Sequence, residues 1–123
     1  MPVVDDNGDA AASLADLLHL KGYPVLTAAT GEEAIEKAPA FRPRIIFMDI
    51  GLPGIDGAET SLRLRAMPEL QDVTIVAVTG WGQPSDRART RAAGMVAHLL
   101  KPVAPEALEH FLAEFCSVDG TPL

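Results

Sequence analysis

Two hydrophobic rhythms alternate along the chain. Short apolar runs at residues 3–4, 25–29, 45–48, 74–78 and 96–100 are separated by longer stretches in which apolar residues return every three or four positions. Compact runs without polar alternation suit strands covered on both faces, and the longer period suits helices. The pattern therefore predicts a parallel sheet between two helical layers.

Local signals place the helices. Leu14, Leu17 and Leu18 form one stripe of a first helix. Thr30, with Glu33 three residues later, has the form of a capping box opening a second, which Pro39 is expected to end. A third is expected from about Ala58 to Ala66. Ser85 suits the cap of a fourth that Gly94 closes, and Pro105 fits the first turn of a fifth whose inner face is Leu108, Phe111, Leu112 and Phe115. Residues 117–123 read as a frayed tail. With 123 residues, 48% of them hydrophobic, the chain suits a single domain with its core at residues 3–115. Only Met1 to Val4 precede Asp5, so the first strand is either short or lacks upstream residues.

Charge narrows the function classes. Ten basic and seventeen acidic residues give 10 − 17 = −7, which disfavours a sequence-independent grip on nucleic acid or an anionic membrane and is compatible with binding a cation. Cys116 is the single cysteine, so no internal disulfide is possible. No apolar segment approaches the ~20 residues that span a bilayer, and the N-terminus lacks the regions of a signal peptide. A cytoplasmic protein is expected.

The apolar run 45–48 ends on Asp49, an acid that burial would penalise without a partner. In a parallel sheet all strand ends gather at one edge, where ligands bind. Asp5 and Asp6 follow the first strand, Asp49 ends the third, Thr79 the fourth and Lys101 the fifth. Three clustered carboxylates repel unless a proton or cation is shared among them. Oxygen donors without histidine or cysteine suit Mg²⁺ or Mn²⁺ rather than zinc. Metal, ammonium and hydroxyl together fit a phosphoryl group, with a carboxylate able to act as nucleophile. Singly, each residue has a plainer use: Asp5 or Asp6 could cap the first helix, Thr79 could be a turn hydroxyl and Lys101 a surface lysine.

Together, "VVDDN", "IIFMDIGLPGIDG", "AVTG" and "HLLKP" resemble the receiver domains of two-component response regulators, in the expected order over residues 3–115. The resemblance implies a CheY-like, flavodoxin-like (βα)5 three-layer sandwich with a five-stranded parallel sheet in the order 2-1-3-4-5. It implies that Asp49 accepts a phosphoryl group from a phosphohistidine on a histidine kinase or phosphotransfer protein, with Mg²⁺ held by Asp5, Asp6, Asp49 and the Gly51 carbonyl. Lys101 would pair with phosphoryl oxygens. Thr79 would move toward them and shift the surface of the fourth helix, fifth strand and fifth helix. Gly80 leaves room for the phosphoryl group, and the Lys101-Pro102 bond looks like the family's cis bond.

Two positions depart from the commonest pattern. His98 stands where many receivers carry Tyr or Phe, as a smaller, titratable switch element or an ordinary strand histidine. At the rim, Gly51 offers no side chain, while Trp81 is bulky enough to screen an acyl phosphate from water. The stretch "TGWGQPSDRARTRAAG" is similar to receivers attached to hybrid sensor histidine kinases. Arg87, Arg89 and Arg91 read as a solvated face. A monomer or weak homodimer is expected. The other readings are an Asp-nucleophile phosphohydrolase, disfavoured because Gly51 cannot be a general acid; a flavin carrier, disfavoured because "DDNGD" would repel phosphate; and a degenerate receiver serving only as an interaction module.

Overall fold

The computed structural model describes residues 1–80, 88, 90–95, 97–101 and 103–115, together with the backbone but not the side chain of Phe115. Expectations for Trp81, Ser85, Arg87, Arg89, Val96, Pro102, Cys116 and the 117–123 tail lie outside the described residues. The strands are β1 (Pro2–Val4), β2 (Leu26–Ala28), β3 (Ile45–Asp49), β4 (Thr74–Thr79) and β5 (Ala97–Leu100). Between them run α1 (Gly8–Leu20), α2 (Gly31–Phe41), α3 (Gly57–Arg65) and α4, of which residues 88 and 90–92 are described. The last helix is α5 (Pro105–Phe115).

All strand pairs are parallel, in the order β2-β1-β3-β4-β5. β1 sits between β2 and β3 although it is only three residues long. β3 lies at the centre of the sheet, and Ile45, Ile46, Phe47 and Met48 are each fully buried. Their side chains alternate between two cores. On one face Ile45 and Phe47 pack with Leu14 and Leu18 of α1 and Leu108, Phe111 and Leu112 of α5. On the other, Ile46 and Met48 pack with Ala34 and Ala38 of α2 and Leu64 of α3. Each fully buried aliphatic or aromatic side chain contributes about 1.5–3 kcal/mol, which explains why an uninterrupted apolar run occupies the centre.

The cap signals act as read. The Thr30 hydroxyl accepts from the Glu33 amide, and the Glu33 carboxylate reaches back to accept from the amide of Ala29, one residue before the cap. Gly94 ends α4 with φ +85°, its amide donating to the Arg91 carbonyl and the next amide, Met95, donating to the Thr90 carbonyl. Pro105 is the first residue of α5.

One expectation needs correction, and one of the plainer alternatives is removed. Pro39 does not end α2, which continues to Phe41 and closes on Arg42 in the left-handed region at φ 53°. A proline within the final turns removes one amide donor, and the Arg42 amide still donates to the Ala38 carbonyl. Neither Asp5 nor Asp6 caps α1; Asn7 does, its side-chain oxygen accepting from the Asp9 and Ala10 amides. The third helix falls where expected, over Gly57–Arg65, capped by Asp56 through the Glu59 amide.

Candidate functional site

The carboxyl ends of β1, β3, β4 and β5 deliver their polar residues to one edge of the sheet. Asp5 follows β1 and is 5% exposed; its amide donates to the Ala28 carbonyl, continuing the ladder to β2. Its Oδ1 accepts from the Asn7 amide at 2.9 Å. Asn7 thus caps α1 and fixes the rotamer of Asp5 in one turn, a positioning role that an asparagine ahead of a helical run signals in the sequence. Asp6 is exposed and completes a cluster in which one carboxylate oxygen each of Asp5, Asp6 and Asp49 lie within 4.8 Å of one another.

Asp49 ends the most deeply buried strand and is 7% exposed. Its Oδ1 accepts from the Gly51 amide at 3.0 Å. The backbone behind it is fixed by Gly57, where an added Cβ would stand 2.4 Å from the Asp49 carbonyl oxygen and 2.7 Å from the Ile50 Cα. No backbone atom yields at such distances, so α3 starts on the chain that carries Asp49 only because residue 57 is glycine. The trace that this contact leaves in the sequence is a glycine opening a helix.

The Lys101 ammonium bridges the two buried acids. Its Nζ lies 2.7 Å from Asp5 Oδ2 and 3.2 Å from Asp49 Oδ2. Partial burial pulls its pKa down, but hydrogen bonds and charge attraction from Asp5 and Asp49 outweigh that and leave it above the ordinary lysine value. The Lys101 amide donates to the Thr79 carbonyl at 2.9 Å, so the ends of β4 and β5 are held together at the site. Thr79 is 4% exposed. Beside it, Gly80 has nothing among the described residues within 4 Å of where a Cβ would project. At Gly51 an added Cβ would make only an ordinary 3.7 Å contact with Asp49 Oδ1, so packing does not explain the glycine there.

His98 lies further down β5, half-buried, with Nε2 2.7 Å from the hydroxyl of Thr90 on α4. Sequence reading considered His98 only in relation to Thr79 and gave no hint of Thr90. The five residues expected to meet, Asp5, Asp6, Asp49, Thr79 and Lys101, do come to one edge. Trp81 and Pro102 lie outside the described residues.

The donor set fits a hard divalent cation. The three carboxylate oxygens, within 4.8 Å of one another, would have to draw together to share one Mg²⁺. Neutralising that cluster beside an ammonium gives the edge the chemistry of oxyanion binding.

A parallel three-layer sandwich with an acidic cluster, a lysine and a hydroxyl at its carboxyl edge defines a phosphoryl-responsive class of α/β protein. The chain belongs to the response regulator receiver domain family, which matches residues 2–113, and it is a signalling domain of two-component systems. It is 33% identical over 102 residues to the polar-differentiation response regulator DivK of Brucella anthropi, covering 83% of each chain. The chemotaxis protein CheY4 of Vibrio cholerae superposes with a TM-score of 0.86 at 30% identity, covering 91% of this chain and 93% of that one. The receiver domain of a Pseudomonas aeruginosa sensor histidine kinase, which holds a magnesium ion in its active-site cleft, superposes with a TM-score of 0.82 at 31% identity over 89% of this chain and 90% of that one. Among the described residues, no helix is long and apolar enough to cross a membrane.

Proposed function

We propose that Asp49 is the phosphoacceptor of a Mg²⁺-dependent receiver that takes its phosphoryl group from a phosphohistidine on a histidine kinase or phosphotransfer protein. The observation that carries this reading is the Lys101 ammonium held between Asp5 and Asp49, with the Asp6 carboxylate beside them. Asp5, Asp6, one oxygen of Asp49 and the Gly51 carbonyl would hold the Mg²⁺ (or Mn²⁺). When bound, the metal supplies charge neutralisation to the incoming phosphoryl oxygens. Asp49, oriented by the Gly51 amide, attacks phosphorus through its other oxygen. The phosphorus–nitrogen bond to the donor imidazole breaks, and the imidazole leaves with its electron pair and takes up a proton. Lys101 then turns from the two carboxylates toward the phosphoryl oxygens, and the space over Gly80 admits them.

Thr79 moves to donate its hydroxyl to one phosphoryl oxygen, and the surface of α4, β5 and α5 shifts with it. His98 follows as the switch side chain on β5. The domain is a switch whose only catalysis is its own phosphorylation and dephosphorylation. Its setting is a single cytoplasmic domain, monomeric or weakly dimeric, joined to a hybrid sensor histidine kinase or working beside one. The likeness to the receiver of a sensor histidine kinase supports that placement.

Incubation with Mg²⁺ and acetyl phosphate, followed by intact-mass measurement, tests the reading. The expected result is a labile phosphoryl adduct that disappears in Asp49→Asn and on chelation of the metal. Folded parent protein without an adduct overturns it.

A further inference from the structure

A second polar contact, away from the acidic cluster, ties α4 to β5. Thr90 is 1% exposed and lies in the last turn of α4, where its hydroxyl meets His98 Nε2 at 2.7 Å. The Thr90 carbonyl also accepts from the Met95 amide at 2.9 Å, so this one residue fastens the end of α4 through backbone and side chain. Thr90 is buried, and breaking a buried side-chain hydrogen bond carries a cost.

The contact lies on the sheet face that carries Thr79. Ala77 pairs with His98 and Thr79 with Leu100, and residues two apart on a strand share a face, so Ala77, Thr79, His98 and Leu100 lie on one side. Ala77 packs there with Ile46 and Met48, which identifies the side as that of α2 and α3. Thr79 and Thr90 belong to the same stretch of chain, leading out of β4 into α4. A shift of α4 against β5, as proposed above for the response to Thr79, would stretch the Thr90–His98 contact. A hydroxyl–imidazole bond does not survive stretching beyond about 3.5 Å.

We propose that the Thr90–His98 hydrogen bond is a latch: it holds α4 against β5 in the unphosphorylated protein and opposes the rearrangement coupled to Thr79, making Thr90 a positioning residue of the switch. This rests on the roles assigned above to Asp49 and Thr79. The latch weights the resting arrangement by about fivefold, the equilibrium effect of one ordinary hydrogen bond.

The test compares the parent with Thr90→Val, Thr90→Ser and His98→Phe in two measurements, after thermal melting has established that each folds. Valine keeps the shape of threonine without its hydroxyl, serine keeps the hydroxyl, and phenylalanine removes the ring nitrogens. Hydrogen exchange over residues 90–101 is expected to quicken about fivefold in Thr90→Val and His98→Phe and to stay at the parental rate in Thr90→Ser. The initial rate of phosphorylation by acetyl phosphate in Mg²⁺ is expected to rise by the same factor in the same two variants. Parental exchange in Thr90→Val, or equal loosening in Thr90→Ser, overturns the latch, the second because packing rather than the hydroxyl would then be responsible. Faster exchange without faster phosphorylation overturns its opposition to the switch. A parent that is not phosphorylated at all overturns the proposed function instead, and the exchange measurements still decide whether the bond holds α4 to β5.

Discussion

At the scale of single residues the site is governed by Lys101, whose ammonium shares the oxygens of Asp5 and Asp49 that a divalent cation would also use. Removing it is therefore expected to have opposite effects on two properties. Lys101→Met should bind Mg²⁺ several-fold more tightly by calorimetry, because no ammonium competes, while phosphorylation by acetyl phosphate falls steeply for want of a partner for the phosphoryl oxygens; weaker Mg²⁺ binding would contradict the competition. The pH dependence has a definite sign. Because the folded pKa of Lys101 lies above its ordinary value, the stability it contributes is fully present below that ordinary value and is lost only as pH rises through the folded one. Between about pH 7 and 9 the urea stabilities of parent and Lys101→Met should accordingly run parallel, converging only in strong alkali. Asp49 was legible in the sequence because an acid at the end of four buried apolar residues conflicts with its surroundings. Asn7 was less so, since two acids stand before it and all three residues are competent caps. The contact of Gly57 with the Asp49 backbone was illegible, because it depends on where α3 lies against β3.

At the scale of elements, helix starts were easier to read than helix ends. Thr30 and Glu33 carry their own hydrogen-bond pattern, so the start of α2 was fixed locally. Its end was not, because packing of the fully buried Ala38 holds the final turn in place past Pro39. Thr30→Ala is expected to lower the unfolding free energy by about 1 kcal/mol in a denaturant titration, leaving phosphorylation intact. The Ala29 amide, first among the causes, draws the pKa of Glu33 below its ordinary value. The stabilisation linked to its charge is therefore present above the ordinary carboxylate range and fades as pH falls through the lowered folded value. Gly57→Ala should behave differently from Thr30→Ala. A methyl group set against the backbone of Asp49 and Ile50 forces α3 from the strand, at a cost of about 1–3 kcal/mol. Because the displaced strand end carries Asp49, phosphorylation should slow along with the loss of stability. An alanine variant as stable as the parent and equally reactive would show that α3 re-seats without disturbing the site.

At the scale of the whole molecule, the strand order brings together acids that are far apart in sequence. β1 lies beside β3, so the turn carrying Asp5 and Asp6 meets the end of the strand carrying Asp49. This convergence was legible before any coordinates, because a parallel sheet leaves only one edge at which strand ends can gather. The Thr90–His98 pair was not, since α4 could have presented any of several side chains to β5. The same convergence makes cation binding a property of the folded state alone: an unfolded chain keeps Asp5 and Asp6 adjacent but does not bring Asp49 to them. Mg²⁺ should therefore stabilise the fold by mass action, by about 2.7 kcal/mol at a hundredfold excess over its dissociation constant. The melting temperature should rise smoothly with Mg²⁺ concentration. Asp6→Asn separates this effect from general screening of the −7 net charge. Asp6 is exposed, so its replacement should leave the metal-free melting temperature almost unchanged while shrinking the Mg²⁺-dependent rise. An equal rise in parent and Asp6→Asn, matched by sodium chloride at the same ionic strength, would mean that the cation acts on the whole acidic surface and not on the cluster at the sheet edge.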